Sequence, residues 1–438
     1  MRERDGEGRR TLLLILIVAF LARMVAVLIL HRLDLGSIGN ELWMHARSVY
    51  DGTGFGFDWY GLFDHPVVGS FVPPLYPGLL AAALLLSGGR DHSAVILAQL
   101  VNATLATATV YLVARLALFV SGGQAAQDTD HAASAGHDPS RLGMHLSEIL
   151  HEPGLLAAAA WAIYLPALGQ VGYLTSAVLE GFLFCLLAFF LLRASATREQ
   201  SGSLRNPLLA GLALGLLLLA RPTAGIIWGL WALVLLWRSR FGASRVRTVL
   251  LVSAAALLVI TPWTVRNAHV HHRLVPISTN GGFNFYIGSN PIYGGGIPPL
   301  HRLFPRMSQE EQQRLRSLTE VERDRYLYTM GLTFWREQPG AVLSGIARKL
   351  VSFVFWRSYL FYGYPRWLAV TFIVTYLLLL IPFAVSVVRC RGPACTLLLL
   401  AIVATGVLCC IYVVSMRFRA SVEPFMVAIA AGTLVRRR

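Results

Sequence analysis

Residues 11–30, TLLLILIVAFLARMVAVLIL, form an apolar run of 20 residues in which Arg23 is the only charged side chain. A helix of this length spans the roughly 30 Å hydrocarbon core of a bilayer. The run is too long for the apolar part of a secretory signal, and it lacks an A-x-A cleavage site. We therefore predict an uncleaved first membrane span, preceded by a cytoplasmic N-terminus with the basic sequence MRERDGEGRR.

The rest of the chain continues this pattern. Of its 438 residues, 55% are hydrophobic and only 14% are charged, and the mean hydropathy of +0.59 is typical of a polytopic helical membrane protein. Two shorter apolar stretches are predicted not to cross: 73–89 has too few apolar residues, and 341–356 carries Arg348 and Lys349 at its centre, as a surface helix would. Nine further runs are predicted spans: 93–120, 153–169, 172–192, 207–219, 223–237, 247–262, 366–388, 394–415 and 420–435.

Arginines in the connecting segments orient these spans. Segments with several arginines are assigned to the cytoplasm by the positive-inside rule, and they are 193–206, 238–247, 389–391 and 436–438. Counting the spans from the N-terminus assigns loop 121–152 to the cytoplasm as well. The two long loops, 31–92 and 263–365, are then outside. The predicted fold class is an all-α polytopic membrane protein with about ten spans, short juxtamembrane or re-entrant helices in the first outer loop and a helical second outer loop.

We predict three regions along the chain: a membrane module over 1–262, an external loop over 263–365 and C-terminal membrane helices over 366–438. In the external loop, Ser308 and Glu311 have the spacing of a helix capping box, which predicts one helix over 309–337.

Several other functions are disfavoured. The net charge of +15 comes from arginines that the positive-inside rule already explains, so nucleic-acid binding is not predicted. The long loops contain no cysteine, which implies no disulfide framework. His269, His271 and His272 have no acidic or thiol partner at a matching spacing, so no metal site is predicted. No internal repeat favours a secondary transporter.

Glu41 is the first candidate for chemistry. It precedes a segment in which Leu42, His45, Ala46 and Val49 recur at helical spacing, just after the chain leaves the first span. A carboxylate at a helix N-terminus is stabilised by the helix dipole, so a purely structural role is equally open.

Charged residues in or beside spans are costly and therefore indicate function. Glu180 lies about two turns into span 172–192. Arg23 is expected to extend toward the bilayer surface. The guanidinium group matches phosphate oxygens and stays charged, so arginines at the outer ends of spans favour a lipid-linked phosphate, although interfacial anchoring is the alternative. These arginines are Arg221, Arg266, Arg417 and Arg419.

Five motifs carry a resemblance to a known family. They are NELWMHARSVYDGTGFGF, VPPLYPGLLA, GLALGLLLLARPT, PWTVRNAHVHHRLVPISTNGGFNFYIGSNP and RFRASVEPFMVAIAAG. Together they resemble bacterial members of the glycosyltransferase-C superfamily, in particular family-39-like membrane glycosyltransferases, a group similar to protein O-mannosyltransferases and lipid A aminoarabinose transferases.

The resemblance implies a membrane enzyme that transfers a sugar, with inversion, from a polyprenyl-phosphate donor to a glycan, lipid or protein acceptor. The reaction would occur on the outer face of the bacterial cytoplasmic membrane. It needs no cofactor beyond the lipid-linked donor, and it leaves metal dependence open. The implied base is Glu41, and the implied donor-binding or substrate-binding residues are Arg221, Arg266, Asn267, Arg417, Arg419, Glu180, Tyr76 and Asn280. A flippase or transporter of lipid-linked sugars and a non-catalytic assembly subunit are the alternatives.

The first-loop motif departs from many relatives, which have Asp-Glu where this chain has Asn40-Glu41. An asparagine amide cannot accept a proton at neutral pH, so the base is expected to be Glu41. Asp58 or Asp64 would have to serve if Glu41 only braces the loop.

Overall fold

The computed structural model describes residues 2–32, 40–59, 62–63, 67–122, 152–196, 203–293, 303–355 and 365–435. These ranges are almost entirely helical, which confirms the predicted all-α class; the two-residue strands β1 Gly56–Phe57 and β2 Val67–Val68 pair antiparallel. The helices are α1 Arg2–Arg32, α2 Glu41–Tyr50, α3 Leu75–Leu86, α4 Asp91–Val120, α5 Pro153–Ala162, α6 Leu165–Gln170, α7 Ala177–Ala196, α8 Arg205–Ala220, α9 Ala224–Arg238, α10 Ala243–His271, α11 Gly281–Gly288, α12 Gln309–Ser317, α13 Glu320–Glu337, α14 Pro339–Val354, α15 Arg366–Arg389, α16 Pro393–Ile411, α17 Met416–Ala420 and α18 Glu423–Leu434.

Each predicted span coincides with helical structure, and the chain is a multi-pass membrane protein. Among the described residues, six helices are long and apolar enough to cross a bilayer: α1, α4, α7, α10, α15 and α16. The other predicted spans coincide with shorter apolar helices, namely α5, α8, α9 and α18. The number of crossings therefore stays a prediction. Most of loop 121–152 lies outside the described residues.

The predicted span 153–169 is interrupted. Helix α5 ends at Ala162, and α6 begins at Leu165 with Pro166 in its first turn, where a proline cannot continue the preceding helix.

Arg23 supplies hydrogen-bond donors to the C-terminal end of α5. Its guanidinium donates to the carbonyl oxygens of Ala19, Trp161 and Ala162 at 2.9–3.4 Å, and the side chain is 0% exposed. The expectation that Arg23 extends to the bilayer surface is therefore wrong. The partial negative charge at the C-terminus of α5 stabilises the cation inside the bundle instead.

Close packing of α8 on α10 explains the glycine pair in GLALG. A Cβ at Gly211 would lie 2.7 Å from the Val252 carbonyl oxygen, and one at Gly215 would lie 2.5 Å from the Val259 Cβ. Small residues four apart let two helices in a bilayer approach at backbone distance. The end of α8, from which Arg221 projects, is thereby fixed against α10.

The second long loop contains two helices where one was predicted. The capping box of Ser308 and Glu311 is present at the start of α12. A second capping box, of Thr319 and Glu322, starts α13, and Leu318 between the two helices has extended backbone. The expectation of one helix over 309–337 is wrong because the second box competes with continuation of the first helix.

Helix α14, predicted to be an amphipathic surface helix, exposes Leu343, Leu350 and Val351 but buries Lys349. The Lys349 ammonium donates to Gly288 O at 2.9 Å and to Tyr412 O at 3.1 Å. These carbonyls close the C-terminal ends of α11 and α16. Burial lowers the pKa of Lys349 to about 8, and the two helix ends supply the negative potential that keeps the cation bound.

A disulfide joins Cys390 to Cys395 across the turn between α15 and α16. In the sequence these two cysteines flank one short basic loop, and no disulfide was predicted between them. Only four residues lie between the two cysteines, so the disulfide is a local link and not a wider framework. The free cysteines of the described chain, Cys185, Cys409 and Cys410, are buried.

Candidate functional site

The N-terminus of α2 places Glu41. Asn40 is the N-cap residue, and its side-chain oxygen accepts hydrogen bonds from Leu42 N at 3.0 Å and Trp43 N at 2.9 Å. Its amide nitrogen donates to Leu174 O at 3.2 Å. An aspartate could make the cap but could not donate to a carbonyl. The asparagine therefore ties α2 to the segment before α7 and fixes Glu41 as the first helical residue.

Glu41 contacts Arg417, the second residue of α17. The distance between Glu41 Oε1 and Arg417 Nη1 is 3.3 Å, and the side chains are 17% and 28% exposed. An acid from the first loop thus meets a guanidinium from the last loop, 376 residues later. Both groups remain partly accessible, so a ligand can reach either of them.

His45 lies one turn after Glu41 and is buried between aromatic rings. Its Nδ1 is 2.6 Å from Glu41 O, and its ring lies 4.6 Å from that of Phe55 and 5.3 Å from that of Phe57. Burial lowers the pKa of His45 to about 4. The imidazole is therefore neutral at pH 7 and packs α2 against the hairpin without adding a charge beside Glu41.

A second ion pair lies next to the first. Arg221 Nη1 is 3.2 Å from Glu180 Oε2, and these side chains are only 7% and 3% exposed. Arg221 also donates to Ser421 Oγ at 2.7 Å. The Phe418 ring contacts both guanidinium groups, at 4.8 Å from that of Arg221 and 5.0 Å from that of Arg417. The structure therefore brings four of the predicted site residues into one row: Glu41, Arg417, Arg221 and Glu180.

Arg419 points away from this row. Its Nε donates to Glu423 Oε1 at 2.8 Å, its Nη1 donates to Phe353 O at 2.9 Å, and its guanidinium lies 3.7 Å from the centre of the Tyr376 ring. These contacts connect α17 to α14, α15 and α18.

Arg266 and Asn267 join the two long loops. Arg266 donates to Gly69 O and to Ser70 Oγ, and its guanidinium stacks 4.7 Å above the Trp263 ring. Asn267 is fully buried; it accepts from Ser70 Oγ at 2.6 Å and donates to Val275 O and Ile277 O. The amide nitrogen of Asn267 therefore holds the backbone of the segment that follows α10.

The position of Arg266 relative to Glu41 follows from the aromatic side chains between them. The Arg266 guanidinium lies 5.8 Å from the centre of the Phe55 ring, and that ring packs on His45, one turn from Glu41. Arg266 is thus near the Glu41 region without touching the carboxylate in the described contacts.

Glu320, at the start of α13, was missed by the sequence analysis. Its Oε1 accepts from Ser70 N at 2.7 Å and from Thr279 Oγ1, and it lies 3.8 Å from His271 Nε2. A side chain at Gly69 would overlap this carboxylate. The second capping box, at Thr319, was the signal that places Glu320 in a first helical turn.

The remaining predicted residues are placed as follows. Tyr76 is buried in α3, and its hydroxyl bonds the amide of Asn102. Asn280 is the residue before α11 and accepts from Ser278 Oγ at 3.1 Å. Asp58 follows β1 and is half-buried, whereas Asp64 lies outside the described residues. Within the described ranges, no group of three His, Cys, Asp or Glu side chains is arranged to hold a metal.

Helix α11, from the motif NGGFNFYIGSN, is held at both ends by ionisable side chains. Asp324 Oδ1 accepts from Gly282 N at 2.6 Å, and a side chain at Gly282 would overlap the Asp324 carbonyl oxygen. At the other end, Lys349 binds the carbonyl of Gly288. This arrangement complements the helix dipole. Burial raises the pKa of Asp324 to about 7.

The raised pKa of Asp324 predicts a pH effect on stability. The folded chain binds a proton there up to about pH 7, whereas an unfolded aspartate releases it near 3.8, so the Asp324 contribution to stability falls as pH rises across this window. Because its pKa is lowered, His45 contributes stability that instead increases as the pH rises from about 4 to 6.5. The thermal midpoint of the Asp324→Asn variant relative to wild type should therefore rise between pH 5 and pH 7. An unchanged difference between the two midpoints would contradict the assignment.

No model of a known protein family matches the chain, and no curated protein matches it. Among solved structures, the oligosaccharyltransferase AglB from Archaeoglobus fulgidus, in complex with an inhibitory peptide and a dolichol-phosphate, matches 97% of this chain and 50% of its own, with 14% identity and a TM-score of 0.51. ArnT from Cupriavidus metallidurans, bound to undecaprenyl phosphate, matches 97% of this chain and 77% of its own, with 14% identity. Its TM-score of 0.40 is too low to show a shared fold. The chain therefore has the fold of AglB along nearly all of its length, and it spans about half the length of that protein.

Proposed function

We propose that this protein transfers a sugar from a polyprenyl-phosphate donor to a hydroxyl group of an acceptor, with Glu41 as general base and Arg417 as a ligand of the donor phosphate. The observation that carries this proposal is the contact between Glu41 and Arg417 at 3.3 Å, with both side chains partly exposed. A carboxylate that can accept a proton and a guanidinium that can bind phosphate lie within the reach of one sugar ring, and this supports the proposal.

The chemistry needs little more than these two groups. Glu41 accepts the proton of the acceptor hydroxyl as its oxygen attacks the anomeric carbon. The bond from that carbon to the phosphate oxygen breaks, and the lipid phosphate leaves with the bonding electrons. A guanidinium stabilises the charge that develops on the phosphate, so no second acid is required to protonate the leaving group. Attack opposite to the leaving phosphate inverts the anomeric centre.

The other arginines support the site in this proposal. Arg221 fills the space between Glu180 and Ser421 and supports Phe418, which packs on the Arg417 guanidinium. Arg266, at the membrane end of the second long loop, binds the segment Gly69–Ser70 of the first long loop. We assign these two residues to positioning because each binds protein groups from a distant part of the chain, and we assign the phosphate to Arg417.

The lipid-linked donor is supported by the fold. AglB, which shares this fold, forms a complex with dolichol-phosphate. A site formed at the boundary between apolar helices and polar loops suits a donor whose lipid tail stays in the bilayer while its sugar is in water.

The proposal is tested with purified protein in nanodiscs and a panel of polyprenyl-phosphate sugars. One member of the panel should be consumed, with release of polyprenyl phosphate and appearance of the sugar on an added acceptor. If lipid-linked sugars instead cross the bilayer of proteoliposomes without being cleaved, the protein is a flippase and the proposal fails.

A labelling experiment tests the side of the membrane. Gln313 in α12 and Ser244 in α10 are both exposed to solvent, and the arginine distribution places the first outside and the second inside. In intact cells, a membrane-impermeant maleimide should react with the Gln313→Cys variant and not with Ser244→Cys. Unmodified protein is the control, because its described free cysteines are buried. The reverse labelling pattern would put the site on the cytoplasmic side.

A further inference from the structure

The Glu41–Arg417 contact poses a conflict within the proposed function. The Arg417 guanidinium donates to Glu41 Oε1, so this carboxylate oxygen is occupied by Arg417 rather than by an acceptor hydroxyl. The same guanidinium is needed by the donor phosphate. As the sugar–phosphate bond breaks, the phosphate changes from a singly charged diester to a monoester with greater negative charge, so its attraction for Arg417 grows during the reaction.

We propose that Arg417 exchanges partners, leaving Glu41 for the donor phosphate, so that donor binding releases Glu41 to act as the base. This inference rests on the proposed function and adds to it a regulatory step: donor binding must precede deprotonation of the acceptor. Acceptor hydroxyls are then not activated until a sugar is in place, which limits wasteful hydrolysis of the donor.

The geometry of Arg417 permits this exchange. Its contact with Glu41, at 3.3 Å, is longer than the roughly 2.7–2.9 Å of a strong charge-assisted hydrogen bond. A partly exposed ion pair of this kind contributes only about 0.2–1 kcal/mol, so a phosphate can replace the carboxylate at small cost.

Arg221 provides the contrast. It lies on the same Phe418 ring, but its guanidinium also bonds Thr223, Ser421 and the Phe418 carbonyl in addition to Glu180, and it is 7% exposed. On the two sides of a single aromatic ring, Arg221 is therefore buried among protein groups, whereas Arg417 is 28% exposed.

The test measures binding rather than turnover. Polyprenyl monophosphate is titrated into protein in phosphatidylcholine nanodiscs. The Glu41→Gln variant, in which Arg417 has lost its carboxylate competitor, should bind this lipid about two- to fivefold more tightly than wild type, as expected for removal of a partly exposed ion pair. Arg417→Met should bind it more weakly than wild type. Glu41→Gln combined with Arg417→Met should show no gain over Arg417→Met alone.

A matched control separates the exchange from a general change in charge. Asp51, at the other end of α2, pairs with Arg47 on the surface. The Asp51→Asn variant removes the same single negative charge without touching Arg417, and its affinity for the lipid should equal that of wild type. Inorganic phosphate and phosphatidylglycerol are titrated in parallel, to distinguish the lipid-linked phosphate from a free anion or a bulk headgroup.

The outcomes distinguish the two proposals. The exchange is overturned if wild type and Glu41→Gln bind the polyprenyl lipid equally, or if the gain in affinity persists without Arg417. It is also overturned if Glu41→Gln gains affinity for inorganic phosphate or phosphatidylglycerol but not for the polyprenyl lipid. Failure of the wild-type protein to bind the polyprenyl lipid at all would overturn the proposed function itself.

Discussion

The Glu41→Gln variant is expected to lose sugar transfer by a factor of about 10²–10⁴, the contribution of a positioned general base. Glutamine preserves the size of the side chain and its place at the start of α2, but it cannot accept the acceptor proton. Folding should be little affected, because Asn40 still caps the helix and the lost ion pair is partly exposed. The measurement is the initial rate of polyprenyl phosphate release at saturating donor.

The control for this result is Asp58→Asn, which removes a half-buried carboxylate from the same loop. It should retain transfer close to that of wild type. If instead Glu41→Gln transfers sugar at the wild-type rate, Glu41 has no part in proton transfer. The base must then be sought at Asp58 or Asp64.

Arg221→Met is expected to destabilise the protein by about 3–5 kcal/mol, the typical cost of leaving one partner of a buried ion pair alone. Glu180 is 3% exposed and would keep only the hydrogen bond from Ser176 Oγ, at 2.6 Å. The measurement is the unfolding midpoint in detergent. Replacing both partners, as Arg221→Met with Glu180→Leu, should recover most of the loss, since no buried charge remains.

The same variant tests the assignment of Arg221 to a supporting role. If the Arg221→Met variant is as stable as wild type but does not bind polyprenyl monophosphate, Arg221 contacts the donor phosphate. In that case the phosphate site extends across Phe418, and the anchored pair of Arg221 and Glu180 would have to open.

The fold could be predicted in outline because hydropathy and arginine placement act over whole segments. The apolar runs, the helix beginning at Glu41 and the capping box at Ser308 all follow from local patterns. The break after Ala162 and the second capping box at Thr319 were not predicted although Pro166 and Glu322 signal them locally, whereas the burial of Arg23 has no local signal. In the case of Arg23, the deciding partner is the carbonyl end of a helix about 140 residues away, which local sequence does not reveal.

The candidate site was predicted as a set of residues but not as an arrangement. All the arginines beside the spans looked alike in sequence, since each is a cation next to an apolar run. The structure separates them by burial and by partners: Arg419 bonds Glu423 within the bundle, Arg266 holds Ser70, and Arg417 meets Glu41. The pairing across 376 residues depends on how the first and last loops pack, and no spacing rule encodes that.

The single lysine of the chain has a practical consequence. A lysine-specific protease has one target in the whole sequence, the bond after Lys349, and this side chain lies beneath the ends of α11 and α16. Cleavage must therefore wait until α14 lifts from its neighbours. The rate at which the two fragments appear reports the opening of that contact alone, and it does so next to the segment that carries Arg417.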